Sequence, residues 1–300
     1  MLYPISYCIP KEKIADTSNI NIIKTKLLSS IIPDDSSTYI YDTEEEYYNE
    51  YKQSMFALTT KKHGWDSMRH YEILANFCIP YFPNIEDCPT HNIISLPIEL
   101  LKKSNVLYES IKHKQLNEVT KEECEEYLLL LRLLFDYTKN YLTTENMAKY
   151  VLDVTEHSEK TNILYLSSHI LPDYQTCLLL HGFKSLFGNK CHDFPKVSHL
   201  YKNKNINYSF YYGKGFTYTN LLEDELHNNQ LDNNIEELIK NKYFDIVIYG
   251  SLHKETPYLD LVNKSYNPNE IIFICGNDDT HNCNFDDYLI NGNHVFVREL

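Results

Sequence analysis

Two lysines, an arginine and a glutamate carry the most concentrated binding chemistry in this sequence. Lys61 and Lys62 precede Arg69 and Glu72 in the segment KKHGWDSMRHYE. Arginine can pair with a phosphate through two parallel hydrogen bonds, and a carboxylate can accept hydrogen bonds from two neighbouring hydroxyls. On a helix, Arg69 and Glu72 lie on one side. The spacing predicts a site for an anionic ligand that carries hydroxyls, and the alternative is an exposed ion pair worth less than about 1 kcal/mol.

The elements around these residues are predicted to be a strand, a helix and a second strand. Apolar runs at 56–59 and 78–82 indicate the strands, and residues 66–76 between them have a helical pattern. The cationic loop then follows the carboxyl end of a strand and precedes a helix. Open α/β sheets bind ligands at that edge, where a helix N-terminus favours an anion such as a phosphate.

The run RHYEILANFCIPYF resembles a motif in the nucleotide-sugar-binding domain of GT-B glycosyltransferases, including exostosin-like and CgeB-like families. The longer segment 61–82 is similar to uncharacterised glycosyltransferase-like proteins of bacteria and large DNA viruses. The resemblance implies that Glu72 binds the ribose of the donor and that Lys61, Lys62 or Arg69 meets its diphosphate. It also implies a hydroxyl acceptor on a glycan, protein or small molecule, with no separate cofactor and no essential metal.

Two positions differ from that family pattern. Many retaining members have a carboxylate eight residues before the ribose-binding glutamate, where this chain has Gly64. Phe77 stands where the pattern has glycine. These differences favour an alternative function, a non-catalytic nucleotide- or glycan-binding module or an incomplete fragment of a larger enzyme. Another Rossmann enzyme is the remaining alternative, although no glycine-rich cofactor loop supports it.

Strand and helix patterns alternate along the rest of the chain. We predict an α/β fold of two Rossmann-like lobes, residues 1–104 and 161–300, joined by a helical linker at residues 105–160. The second half resembles the same proteins through YLSSH, YYGKGFTY and FICGNDD, but in those relatives such a segment comes first. The lobe order is therefore expected to be swapped, either in a circular permutant or in a piece of a tandem array. TYIY is expected to be a strand and residues 228–234 an exposed loop.

His169 and Asp279 are the candidates for a general base. Each follows an apolar strand pattern, ILYLSS for His169 and IIFI for Asp279, and His253 stands in the same relation to FDIVIYGS. A histidine with a pKa of about 6.5 suits proton removal from a sugar hydroxyl. The alternative for each of them is an ordinary loop residue.

Two other motifs have simpler explanations. The sequence Gly213-Lys214-Gly215 is either a tight turn or a contact for a phosphate or an acceptor sugar. Cys275, Cys283 and His281 lack the paired spacing of a zinc site, so no metal is expected there.

Charge and composition limit the partners of this chain. The net charge of −14 argues against nucleic acid and anionic membranes as general partners. The eight cysteines are expected to be free thiols of a reducing compartment. No apolar run is long enough to span a membrane, so a cytoplasmic location is expected. Three arginines among abundant lysine, asparagine and isoleucine fit an AT-rich genome, and in a viral protein the location is the host cytoplasm.

Overall fold

A computed structural model describes residues 1–16, 23–168, 173–202, 210–279 and 283–300. The chain forms two compact units, a larger one of residues 1–10, 91–94 and 144–300 and a smaller one of residues 11–90 and 95–143. Each unit contains a parallel sheet, so the predicted α/β class is confirmed. The sequence pattern predicts one lobe at residues 1–104, a linker at 105–160 and a second lobe at 161–300. In the structure, residues 1–10 belong to the same compact unit as the later half of the chain.

The described strands and helices alternate along most of the chain. The strands are β1 (Leu2–Pro4), β2 (Lys26–Leu28), β3 (Ser54–Leu58), β4 (Ile79–Tyr81), β5 (Ile163–Leu166), β6 (Cys191–Phe194), β7 (Ile246–Tyr249), β8 (Ile271–Cys275) and β9 (His294–Val297). The helices are α1 (Glu44–Gln53), α2 (Met68–Ala75), α3 (Ile98–Ile111), α4 (Lys121–Tyr141), α5 (Thr144–Val154), α6 (Tyr174–Phe187), α7 (Asn229–Asp232), α8 (Ile235–Lys240), α9 (Leu259–Ser265) and α10 (Asp286–Ile290).

The larger unit has a six-stranded sheet in the order β1-β9-β8-β7-β5-β6, with every pair parallel. All residues of β5, β7, β8 and β9 are buried, as expected for parallel strands that are covered on both faces. The winding direction reverses between β5 and β7, because the chain moves from β5 to β6 on one side and then to β7 on the other. Ligands of open α/β sheets bind at the carboxyl ends of strands where the order reverses.

The smaller unit has a three-stranded parallel sheet in the order β2-β3-β4. The predicted strand, helix and strand around Arg69 are confirmed as β3, α2 and β4. A capping box starts α1, since the Thr43 side chain accepts from the amide of Glu46 and the Glu46 carboxylate accepts from that of Thr43. The helices expected after residue 104 are also present, as α3, α4 and α5.

Two local predictions were wrong. The segment TYIY forms no strand, and the first strand of the smaller sheet is instead β2, whose lysine and two leucines give little strand pattern. The predicted loop at 228–234 contains the short helix α7, which begins where the Asn228 side chain accepts from the amide of Gln230. Among the described residues, no helix is long and apolar enough to cross a membrane.

Candidate functional site

Arg69 lies in the first turn of α2 and is a buried cation with few partners. The side chain is 7% exposed, and Nη2 donates to the hydroxyl of Tyr39 at 2.9 Å. Nε and Nη1 have no hydrogen-bond partner among the residues that the structure describes. A buried guanidinium with two unmet nitrogens needs acceptors from elsewhere, since burial of polar groups without hydrogen bonds is costly.

Glu72 lies one turn further along α2 in a cluster of tyrosines. Glu72 is 5% exposed, and its Oε2 accepts a hydrogen bond from the Tyr47 hydroxyl at 2.9 Å. The Tyr47 hydroxyl also lies 2.9 Å from the hydroxyl of Tyr51. Burial and the Glu72 charge raise the pKa of Tyr47, so its hydroxyl keeps its proton and donates. The alternative of an exposed ion pair is wrong, because Arg69 and Glu72 are both buried.

The two lysines predicted to bind lie on the exposed loop before α2. Lys61 Nζ is 5.1 Å from the ring centroid of Trp65, and Lys62 Nζ is 3.5 Å from Oδ1 of Asp34. The structure therefore places Arg69 and Glu72 inside the smaller unit and the lysines on its surface. The binding roles of all four residues stay predictions.

His70 fixes the start of α2 from within the core. Its Nε2 lies 2.9 Å from the carbonyl oxygen of Trp65 and its Nδ1 2.9 Å from the hydroxyl of Thr59. Because only a ring N–H can bond a carbonyl, the neutral ring donates from Nε2 and accepts at Nδ1. Burial lowers the pKa of His70 to about 4, which keeps the ring neutral. The residue next to Arg69 is thus fully hydrogen-bonded.

Phe77 follows the C-cap of α2 with a φ of 53°, in the left-handed region. Its ring packs edge-on against Phe135 of α4, with the ring centroids 4.9 Å apart. Glycine adopts this backbone conformation without steric cost, and helices commonly end on it. Phe77 therefore adopts a backbone conformation that favours glycine, and its ring packs against Phe135.

A second polar cluster lies at the carboxyl ends of β5 and β7 in the larger unit. Asp173 caps α6, since its Oδ1 accepts from the amide of Thr176 at 2.8 Å. Its Oδ2 is 2.9 Å from Nζ of Lys254 and 3.6 Å from Nε2 of His253. Burial would raise the pKa of Asp173, but Lys254 and His253 together hold it below the usual value. This cluster can bind or transfer protons at the edge where the strand order reverses.

Arg298 follows β9 and is a buried cation with every nitrogen engaged. Its Nε donates to the carbonyl of Gly276 at 3.1 Å, Nη1 to Glu299 at 2.8 Å, and Nη2 to Asp278. The guanidinium also stacks 4.4 Å from the ring centroid of Tyr7. Sequence reasoning singled out neither Arg298 nor Lys254. For Arg298 the available signal was a charged residue directly after a buried strand, whereas Lys254 lies five residues after the end of β7.

The predicted catalytic residues are not brought together by the described part of the chain. His169 lies outside the described residues, as does His281. Asp279 is exposed in the loop after β8, with its amide 3.1 Å from Oδ1 of Asn277. The tight-turn interpretation of Gly213 and Lys214 is confirmed, because their φ angles are 57° and 56°. The catalytic roles of His169 and Asp279 stay predictions.

The cysteines correct one expectation. Cys275 and Cys283 are placed as a disulfide, although all eight cysteines were expected to be free thiols. A ring nitrogen of His253 lies within 4.8 Å of both sulfur atoms. Sequence spacing did not indicate this group because His253 comes from the end of a different strand.

Comparison of the chain with protein-family models, with curated proteins and with solved structures finds no match.

Proposed function

We propose that this chain binds a nucleotide-sugar through its smaller unit and transfers the sugar to a hydroxyl acceptor. The observation that carries the proposal is the buried guanidinium of Arg69, on which Nε and Nη1 have no hydrogen-bond partner among the described residues. Buried donors without acceptors are costly, so a guanidinium of this kind is best explained by a ligand that supplies the acceptors. The oxygens of a diphosphate are acceptors of that kind.

The surroundings of Arg69 support a donor of this chemistry. Glu72 already accepts a hydrogen bond from the hydroxyl of Tyr47, the type of bond that a ribose hydroxyl would make. The resemblance of residues 61–82 to the donor-binding segment of GT-B glycosyltransferases gives both residues matching roles. Arg69 meets the diphosphate and offsets its growing charge as the sugar departs, and Glu72 holds the ribose.

The remaining parts of the proposal follow from the same resemblance. The two parallel sheets would belong to two Rossmann-like lobes, and the acceptor is a glycan, a protein or a small molecule. The nucleotide-sugar is a substrate, so no separate cofactor takes part. The proposed location is the cytoplasm, or the host cytoplasm for a viral protein.

One observation favours a second candidate function, a binding module without catalysis. Gly64 occupies the position where many retaining members of the resembled family have a carboxylate. A chain that lacks this group can still bind the donor through Arg69 and Glu72. Binding and transfer therefore have to be measured separately.

Nucleotide binding is tested by thermal unfolding with UDP-, GDP- and dTDP-sugars. We expect one nucleotide class to raise the melting temperature of the unaltered chain, because a ligand that binds only the folded state stabilises it. Arg69→Met should lose this shift, whereas Arg132→Met, at an exposed arginine in α4 of the same unit, should keep it. Absence of any shift, or an equal shift in Arg69→Met, would refute the proposed donor site.

Release or transfer of the sugar from the stabilising donor then separates the two functions. If the unaltered chain transfers the sugar or slowly hydrolyses the donor, and Arg69→Met does neither, the result supports the transferase. Binding with no turnover supports the module.

A further inference from the structure

His192, His227 and Asp232 form a separate cluster in the larger unit. His192 lies in the edge strand β6, His227 lies just before α7, and Asp232 ends that helix. The two histidines are 1% and 5% exposed, whereas the Asp232 side chain is 29% exposed. One ligand atom from each residue lies within 4.8 Å of the other two. The three side chains thus converge on one point that solvent reaches through Asp232.

Asp232 faces both histidines. Its Oδ1 is 3.0 Å from Nε2 of His192, and its Oδ2 is 3.0 Å from Nε2 of His227. The angles between His192 Nε2 and Asp232 Oδ1 are not those of a hydrogen bond. Both atoms are buried and have no hydrogen-bond partner among the described residues. Two atoms that each lie about 2.0 Å from one tetrahedral metal are roughly 3.3 Å apart. The two nitrogen–oxygen separations of 3.0 Å are close to this value, as expected for ligands of a shared ion.

Asp193 fixes the orientation of the His227 ring from the other side. Its Oδ1 is 3.0 Å from Nδ1 of His227, and the fully buried carboxylate also binds the Tyr201 hydroxyl at 2.6 Å and Lys184 Nζ at 2.9 Å. Metal-binding histidines commonly donate their second ring N–H to a carboxylate in this way. With the proton on Nδ1, the Nε2 lone pair of His227 faces an Asp232 oxygen, and a cation is needed between them.

We propose that His192, His227 and Asp232 bind a divalent transition-metal ion, with zinc as the best match. Two imidazoles and one carboxylate are a known zinc ligand set, and a water would take the fourth position on the exposed side of Asp232. Asp193 is a positioning residue. The competing occupant is a proton on His227, but a proton bonds only the Asp232 oxygen that faces His227 and leaves Nε2 of His192 without a partner.

The test is calorimetric titration of the untagged full chain with Zn²⁺ after removal of bound metal with EDTA. The Cys275→Ser, Cys283→Ser double variant serves as background, so that no reduced Cys275 and Cys283 beside His253 can bind zinc. We expect one zinc per chain. Asp232→Asn and His192→Asn should each weaken binding by about 100-fold or more. Asp193→Asn should weaken it by about 10- to 100-fold, the usual effect of losing a carboxylate behind a ligand histidine.

His157→Asn is the matched control, because His157 is also buried in the same unit and bonds the carbonyl of Asn269 at 2.6 Å. Its zinc affinity should not change. Circular dichroism checks the fold of each variant, and Asp232→Asn, at a partly exposed position, decides the matter if His192→Asn does not fold. The proposal is overturned if the background protein binds no zinc, if Asp232→Asn binds it unchanged, or if the control loses it equally.

Discussion

Arg69 and Arg298 are both buried arginines, but their surroundings differ. Arg298 is completely buried in the larger unit and donates to a carbonyl and two carboxylates. Arg69 is buried in the smaller unit with one tyrosine hydroxyl as the partner of Nη2 and none, among the described residues, for Nε and Nη1. Burial alone therefore does not distinguish the two arginines. The number of guanidinium nitrogens without a hydrogen-bond partner among the described residues does.

The largest expected effect is on Arg298. Arg298→Met removes three charge-assisted hydrogen bonds and leaves the buried carboxylate of Glu299 without this cation, so the free energy of unfolding should fall by about 3–5 kcal/mol. Urea denaturation followed by far-UV circular dichroism measures the change. Arg132→Met, at an exposed position, should stay within about 0.5 kcal/mol of the unaltered chain. A loss below about 1 kcal/mol in Arg298→Met would remove the distinction between the two buried arginines.

A second prediction concerns His70, which sits beside Arg69 but has both ring nitrogens bonded. Its pKa is about 4 in the folded chain, against about 6.5 in the unfolded chain. Above about pH 6.5 the ring is neutral in both states. As the pH falls towards about 4, the unfolded chain takes up a proton that the folded ring does not, so stability declines.

His70→Gln lacks this proton uptake. The stability advantage of the unaltered chain over His70→Gln should therefore shrink by about 2 kcal/mol between about pH 7.5 and pH 5, as measured by urea denaturation at each pH. His63→Gln, at an exposed histidine in the preceding loop, is the control and should show no such trend. A gap that stays constant with pH would mean that the pKa of His70 is the same in the folded and the unfolded chain.

The smallest expected effect on stability is at Arg69 itself. Arg69 has one hydrogen bond, to Tyr39, and two buried nitrogens without a partner among the described residues. Replacing buried charged groups by apolar residues of similar volume is often neutral or stabilising. Arg69→Met should therefore change the free energy of unfolding by less than about 1 kcal/mol in ligand-free protein, in the same denaturation experiment. A loss as large as that in Arg298→Met would make Arg69 a structural residue and would weaken the proposed donor site.

The local parts of the fold could be predicted from the sequence, and the contacts between distant segments could not. The apolar runs and the helical spacing around Arg69 indicated β3, α2 and β4 directly. The burial of all eight residues of α2 was hidden, because a helix that contains Arg69, His70 and Glu72 reads as amphipathic. β2 was missed because a three-residue strand carries almost no pattern.

The clusters of the larger unit depend on strand order, which sequence periodicity does not encode. Lys254 meets Asp173 because β7 lies beside β5, although about eighty residues separate the two side chains along the chain. Asp232 of α7 and His192 of β6 likewise meet only in the folded chain, because their elements are distant in sequence. His253 was visible beforehand because it follows a predicted strand, but its neighbours in the folded chain were not.

The left-handed backbone at Phe77 restricts which side chains this position accepts. Glycine would suit the backbone but would leave Phe135 without its neighbouring ring. Alanine would keep the unfavourable torsion and also lose the aromatic contact, so it combines both disadvantages. Relatives of this chain should therefore have either glycine or a large ring here and few residues of intermediate size. A search pattern that demands glycine alone would overlook the second group.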